Sequence, residues 1–171
     1  MSAASAVAVA SRTCPGFSSA GSSVGVRDET ATAVARLGEP GIWCHGLAIK
    51  PGKPTLLADC AGVPVIGLPG NPRSALVVFR LIGMPVIRMV GGCEAAPPQP
   101  STRARLSRDL ASAAGRLDVV QVTVGEDGMA TPVFGLSALL SVLTAADGYI
   151  VIPDDATGLA AGSEVDVILY A

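Results

Sequence analysis

The sequence predicts two units in series: an α/β unit to about residue 92 and a small, mostly β unit from about residue 101. Three observations carry this. A stiff, non-helical stretch, Gly91 to Thr102 (GGCEAAPPQPST), interrupts the chain with three prolines and two glycines. Before it, helical and strand patterns alternate around Gly- and Pro-rich turns. After it come short segments of alternating apolar and polar residues with one helical stretch, as in a small β-barrel or sandwich. The division is an unassigned segment at residues 1–18, an α/β domain at 19–92, a linker at 93–101 and a β domain at 102–171.

In the first unit, Asp28 is a good N-cap for a helix from Glu29 to Leu37, which Gly38 closes. Ile42 to Ile49 (IWCHGLAI) reads as a buried strand, followed by strands at Thr55–Ala58 and Val63–Leu68. From Ser74 to about Val90 apolar residues recur at helical spacing, and Pro85 is expected to bend or end that helix. In the second unit, Arg103–Leu106, Asp118–Val124, Tyr149–Ile152 and Glu164–Leu169 read as strands. Gly125–Gly128 and Gly158–Gly162 read as turns, and Leu136–Ala146 as a buried core helix.

A chain of 171 residues with 50% apolar and only 15% charged residues can bury a real core, which excludes a disordered, low-hydrophobicity chain. Twelve Lys and Arg against 14 Asp and Glu leave a net charge of −2, so no global basic field exists to hold nucleic acid or an anionic membrane. The mean hydropathy of +0.53 calls for a membrane check. The longest uncharged stretch, Gly128 to Ala146, is broken by Gly, Pro, Ser and Thr, and no spanning helix is expected. Cys14, Cys44, Cys60 and Cys93 lack disulfide-scaffold or zinc spacing and read as ordinary thiols of a cytoplasmic protein.

Two loops carry most of the chemical information. Ser18 to Asp28 (SSAGSSVGVRD) runs into a helix; its Gly and Ser residues let backbone N–H groups turn inward around an anion. A plain capped helix after a Gly/Ser turn reads equally well, and Asp28 is a cap, a metal-facing carboxylate, or both. The second loop, Pro69-Gly70-Asn71-Pro72-Arg73-Ser74, follows a strand and opens a helix. Its two prolines make it rigid, and strand C-terminal ends are where open α/β sheets bind ligands. Ser74 can cap the helix or donate to an anion.

Between these loops lies Lys50-Pro51-Gly52-Lys53-Pro54, which holds both lysines of the chain, the other ten basic residues being Arg. Two lysines framed by Pro and Gly suit phosphate or another oxyanion; a solvated basic turn is the bland alternative. His45, the single histidine, reads as a hydrogen-bonded structural residue beside Trp43 and Cys44, and no zinc site follows from it.

Taken together, these motifs resemble the molybdenum insertase family of molybdenum-cofactor biosynthesis, the MoeA and gephyrin E-domain type. Gly21-Ser22-Ser23-Val24-Gly25-Val26-Arg27-Asp28 is similar to its Gly-Gly-x-Ser-x-Gly-x-x-Asp loop, and Lys50 to Pro54 to its Lys-Pro-Gly-Lys-Pro signature. Gly67 to Ala75 (GLPGNPRSA) is similar to its Leu-Pro-Gly-Asn-Pro-x-Ser-Ala loop. Gly115-Arg116, Ser137–Leu143, Ala146-Asp147-Gly148 and Ile150–Pro153 resemble its C-terminal β domain.

The resemblance implies a partial three-layer α/β/α molybdopterin-binding domain of the MogA/MoaB-like type, followed by a small β-barrel. It implies insertion of molybdate into adenylylated molybdopterin with release of AMP, assisted by Mg2+, in a family of homodimers. Carried over, Asp28 is an acidic catalytic and metal-binding residue. Gly21, Ser22, Ser23, Gly25, Lys50, Lys53, Pro69, Gly70, Asn71, Pro72 and Ser74 bind substrate. Cations and backbone dipoles would hold two anions together against their repulsion.

The chain departs from the family in several places. Ala20 and Ala138 stand where glycines are expected, and the family's early Gly-Asp-Glu motif is absent. Ser11 to Ser19 (SRTCPGFSS) is expected to be unable to form the Val/Ile-rich strand that precedes the Gly loop. The chain thus resembles a C-terminal portion, a truncated member whose catalysis alone is incomplete. A non-catalytic pterin- or oxyanion-binding remnant and a generic nucleotide-binding α/β protein are the rival readings.

Overall fold

A computed structural model describes residues 16–19, 29–93, 98–134 and 144–170. The chain forms two compact units, Met1–Leu47 with Gly52–Ala96, and Ala48–Pro51 with Pro97–Ala171.

The first unit is built on β1 (Gly16–Ser19), β2 (Pro40–His45), β4 (Leu56–Cys60) and β5 (Val63–Leu68), in the order β1-β5-β4-β2. Strand β1 runs parallel to β5, Gly16 opposite Val65 and Ser19 opposite Leu68, whereas β4 is antiparallel to both β5 and β2. The expectation that Ser11 to Ser19 supplies no strand is therefore wrong for its last four residues. The backbone of any residue type satisfies a ladder once an apolar partner such as β5 is fixed, and β1 uses that partner rather than its own propensity.

Strand β5 is buried on both faces. On one side α1 (Glu29–Val34) covers it, Val34 packing with Leu56, Ala58, Cys60 and Val65. On the other, Ile66 and Leu68 meet Val78, with Leu57, Ala75, Phe79, Ile82 and Val86 packed around them. Helices on both faces of one sheet give the α/β/α arrangement, and the continuous apolar run Val63–Leu68 follows from it. A fully buried side chain such as Leu56 or Val78 contributes roughly 1.5–3 kcal/mol.

The helix after β5 begins at Pro72, two residues before the expected start, because proline suits the first helical position, where its missing N–H costs nothing. Pro85 does not end it. The chain runs from α2 (Pro72–Val78) through a π-helical turn (Phe79–Gly83) into α3 (Met84–Val90), and the Met84 N–H donates to the Phe79 carbonyl. The wider turn lies immediately before Pro85 and makes room for a ring that would otherwise strike the preceding turn.

Strand β2 stops at His45, short of the expected Ile49, with an irregularity between Ile42 and Cys44 that leaves Trp43 exposed. The β4–β5 connection is Ala61-Gly62, at φ 56° and 82°. Positive φ at both central residues is the hairpin turn matched to strand twist. The Asp59 carboxylate accepts from the Gly62 N–H at 2.7 Å.

The second unit is a closed five-stranded barrel of β6 (Ser101–Leu106), β8 (Leu117–Val124), β9 (Met129–Pro132), β10 (Gly148–Ile152) and β12 (Glu164–Leu169). The order β10-β12-β6-β9-β8 closes through the β8–β10 pairing, Gly148 opposite Val122 and Ile152 opposite Asp118. Alternate residues fill it: Ala104, Leu106, Val122, Ala130, Ile150, Ile152, Val165 and Val167. The expected strands are all present. Strand β9 and the short pair β7 (Leu110–Ala111) and β11 (Gly158–Leu159) add to them, so the expected turn at Gly158–Gly162 begins as strand. The expected helix Leu136–Ala146 lies mostly outside the described residues. Among those described, no helix is long and apolar enough to cross a membrane.

The smallest strand, β3 (Ile49–Lys50), belongs to this second unit and runs parallel to β8, Ile49 opposite Leu117 and Lys50 opposite Asp118.

Two substitutions test these backbone constraints. Ala61→Gly relieves a left-handed conformation that disfavours a Cβ, and a rise of about 1 kcal/mol in unfolding free energy is expected in urea. A Cβ at Gly148 would collide with the Ile168 carbonyl where β10 meets β12. Gly148→Ala is expected to lose about 1–3 kcal/mol by the same measurement.

Candidate functional site

The Pro69–Ser74 loop is placed by the sheet. Strand β5 delivers the chain with Leu68 and Pro69 buried, Gly70 exposed, and Asn71 extended at φ −81° and ψ 123° before the helix opens at Pro72. The Ala75 N–H donates to the Asn71 carbonyl at 2.9 Å, closing the first turn. Asn71 therefore occupies the N-cap, without a side-chain capping bond, and Ser74 lies within the helix, nearly buried, instead of capping it. The loop is rigid for the reason the sequence suggests: two fixed proline φ angles flank one exposed glycine.

The Lys-Pro-Gly-Lys-Pro segment is divided by the unit boundary. Lys53, Pro54 and Thr55 belong with the first unit. There the Lys53 carbonyl accepts from the N–H groups of both Leu47 and Thr55 at 2.8 Å, and the Gly46 N–H donates to the Thr55 carbonyl at 2.8 Å. Thr55, fully buried, donates its hydroxyl to the Gly52 carbonyl at 2.6 Å. Lys50 instead sits on β3, where the Leu117 N–H donates to the Ala48 carbonyl at 3.0 Å. The sequence treats the two lysines as a pair; the fold assigns them to different units.

What Lys50 meets is a feature the sequence reasoning passed over. Its register partner Asp118 has a side chain only 6% exposed, and both carboxylate oxygens accept from Arg116, Oδ1 from Nε at 2.6 Å and Oδ2 from Nη2 at 3.0 Å. This is the planar fork that only arginine offers a carboxylate. The hydrogen bonds and charge of Asp118 hold the Arg116 guanidinium above its ordinary range, always charged. Register partners in a pleated sheet project to the same face, so Lys50 and the Arg116–Asp118 fork share one end of β8. Among the described residues, neither the Lys50 ammonium nor Arg116 Nη1 has a protein partner. A signal was present: Arg and Asp two residues apart at the start of an alternating strand lie on one face.

Other candidates are less informative. Gly21, Ser22, Ser23, Gly25 and Asp28 lie outside the described residues, as do Ala20, Cys14, Ala138 and Ser137–Leu143. His45 ends β2 opposite Leu56, half-buried, and does have an interaction partner. Cys60 is an inert thiol: burial, then the neighbouring Asp59, pushes its pKa up, and Sγ donates to the Val34 carbonyl at 3.6 Å. Among the described residues no three His, Cys, Asp or Glu side chains gather as metal ligands. A groove of about 350 Å³ on the barrel, lined by Ile150, Leu159, Glu164 and Asp166 among others, contains none of the expected substrate-binding residues.

Comparison with known proteins covers both units. Residues 16–89 match the family described as "Probable molybdopterin binding domain", and residues 103–170 match "MoeA C-terminal region (domain IV)". Molybdopterin molybdenumtransferase 2 of Mycobacterium tuberculosis is 33% identical over 151 residues, 87% of this chain and 37% of that protein. The Haemophilus influenzae molybdopterin molybdenumtransferase is 31% identical over 156 residues, 88% of this chain and 38% of that protein. A crystal structure of a molybdopterin biosynthesis MoeA protein from Pyrococcus horikoshii superimposes with a TM-score of 0.69 at 36% identity, over 83% of this chain and 34% of that one. A molybdenum cofactor biosynthesis protein from Pyrococcus furiosus gives 0.66 at 30% identity, over 75% of this chain and 45% of that one. The chain thus spans little more than a third of the length of these curated relatives.

The Thr55 hydroxyl closes the turn that carries Lys53. Thr55→Val keeps its shape but leaves the Gly52 carbonyl without that bond, so a loss of about 1–3 kcal/mol is expected in urea unfolding. Faster amide exchange at Gly46 and Leu47 should accompany it; unchanged stability and exchange would show that the turn holds without this bond.

Proposed function

The chain belongs to the molybdopterin-binding, MoeA-like family, and on that premise we propose that it serves the transfer of molybdate into adenylylated molybdopterin with release of AMP. The observation that carries the proposal is the pair of cations at one end of β8: the Lys50 ammonium and the Arg116 Nη1 edge, both without a protein partner among the described residues. In this reading the second unit holds molybdate through Lys50 and Arg116. The first unit holds the pterin phosphate through Lys53 and the rigid Pro69, Gly70, Asn71, Pro72 and Ser74 loop. Within each unit, fixed cations offset the charge of the anion they hold.

Mg2+ would add charge neutralisation at the adenylyl phosphate. The described residues offer no acidic set that fits it, and Asp28 lies outside them, so the chemistry assigned to this chain is that of its lysines, arginine and loop backbone.

Because the relatives are more than twice as long, the proposal gives this chain the binding half of the reaction. Charge-assisted contacts contribute about 1.5–3 kcal/mol each, so Lys50→Ala should weaken molybdate binding, and Lys53→Ala inorganic phosphate binding, each about tenfold or more in calorimetric titration. The 171-residue chain alone should release no AMP from adenylylated molybdopterin and molybdate, with release appearing when the relatives' remaining domains are supplied in trans. AMP release by the chain alone would refute the division of labour, and equal affinity of a variant and the parent for its anion would remove that lysine from the site.

A further inference from the structure

We propose that Asp118 is a positioning residue for oxyanion binding: it clamps the Arg116 guanidinium so that its unused N–H edge is fixed at the end of β8 that Lys50 shares. The inference rests on the oxyanion reading of Lys50 and Arg116, and assigns a role to a group of the wrong charge for that task.

A carboxylate beside an anion site ordinarily weakens it, because it cancels cationic charge and repels the ligand. Two features set Asp118 apart from that case. Its side chain is 6% exposed against 34% for Arg116, so the carboxylate lies behind the guanidinium on the side away from solvent. Both oxygens are used, one on Nε at 2.6 Å and one on Nη2 at 3.0 Å, and two bonds to a planar group fix its plane. The remaining donors then point in set directions before any ligand arrives. An unclamped arginine would lose rotamer freedom on binding; this one has lost it already. The Asp118 backbone also pairs with Lys50 through the β3–β8 ladder, so one residue sets the placement of both cations.

The neutralising and positioning accounts predict opposite signs. If Asp118 only cancels charge, Asp118→Asn makes the site more positive and tightens molybdate binding, and Asp118→Glu, which keeps the charge, leaves it unchanged. If Asp118 positions Arg116, both variants weaken binding, because Asn offers one acceptor oxygen in place of two and Glu displaces the carboxylate by a methylene. The full chain and both variants would be titrated with sodium molybdate, and the Arg116 side-chain N–H resonances followed by NMR without ligand.

We expect affinity to fall about fivefold or more in both variants, with Arg116 signals slowed and resolved in the parent and averaged in the variants. Equal or tighter binding in either folded variant overturns the inference, and so does an Arg116 side chain as ordered in Asp118→Asn as in the parent. Lys50→Ala separates the two readings. If it leaves molybdate affinity unchanged while the Arg116 signals still depend on Asp118, the oxyanion reading fails and the clamp stands as a structural fork alone.

Discussion

The register of β8 is the constraint from which most of the second unit follows. This strand forms ladders with β9, β10 and β3, so its phase is written into the barrel closure and into the site at once. Its even positions, Val120, Val122 and Val124, face the barrel core, and Asp118 continues that face to the end of the strand. A one-residue slip would turn Gln121 into the barrel, take the valines off its core and carry Asp118 away from Lys50. Packing of these valines on the barrel core therefore fixes where Asp118 and its Arg116 partner stand in register with Lys50.

The first unit depends on a different economy. Strand β5 has apolar contacts on both faces and neighbours on both edges, which lets it hold weaker partners in place. The Gly-Phe-Ser-Ser backbone of β1 would not be a strand by propensity, yet it runs for four residues beside Val65–Leu68. The same support holds the Pro69–Ser74 turn: a loop bounded by a buried strand and a packed helix has little freedom left at its ends. Rigidity at the loop is thus bought in the core, not in the loop composition alone.

What the sequence made legible were the features whose cause is local. Apolar runs and alternation located β5, β8, β10 and β12, and the Pro-Gly-Asn-Pro turn between strand and helix was readable from proline and glycine geometry. Features whose cause is a distant partner were not. Ile49 and Lys50 look like the tail of β2, but their strand partner lies nearly 70 residues later at Leu117 and Asp118, and no local period records that. Strand β9 was hidden because Met129–Pro132 sits in an uncharged stretch that also reads as the approach to a helix. At the site, the scarce lysines stand out in the sequence, whereas Arg116, one arginine among ten, shows there only as part of the Gly115-Arg116 resemblance and takes its meaning from the buried carboxylate beside it.

The π-helical turn at Phe79–Gly83 amounts to one extra residue wound into an otherwise regular helix. Each residue of an α-helix advances the side chains by about 100°, so that insertion re-aims all of Met84–Val90 relative to α2. Which side chains of α3 meet the sheet, such as Val86, and which stay outside, such as Met89, is thereby set by chain length as much as by composition. Loss of a single residue from this turn would let it close as ordinary α-helix with α3 seated as before, whereas loss of one from the regular turns of α2 would turn α3 by about 100°. The wide turn is thus where this helix absorbs a change of length, and the regular turns on either side of it are not.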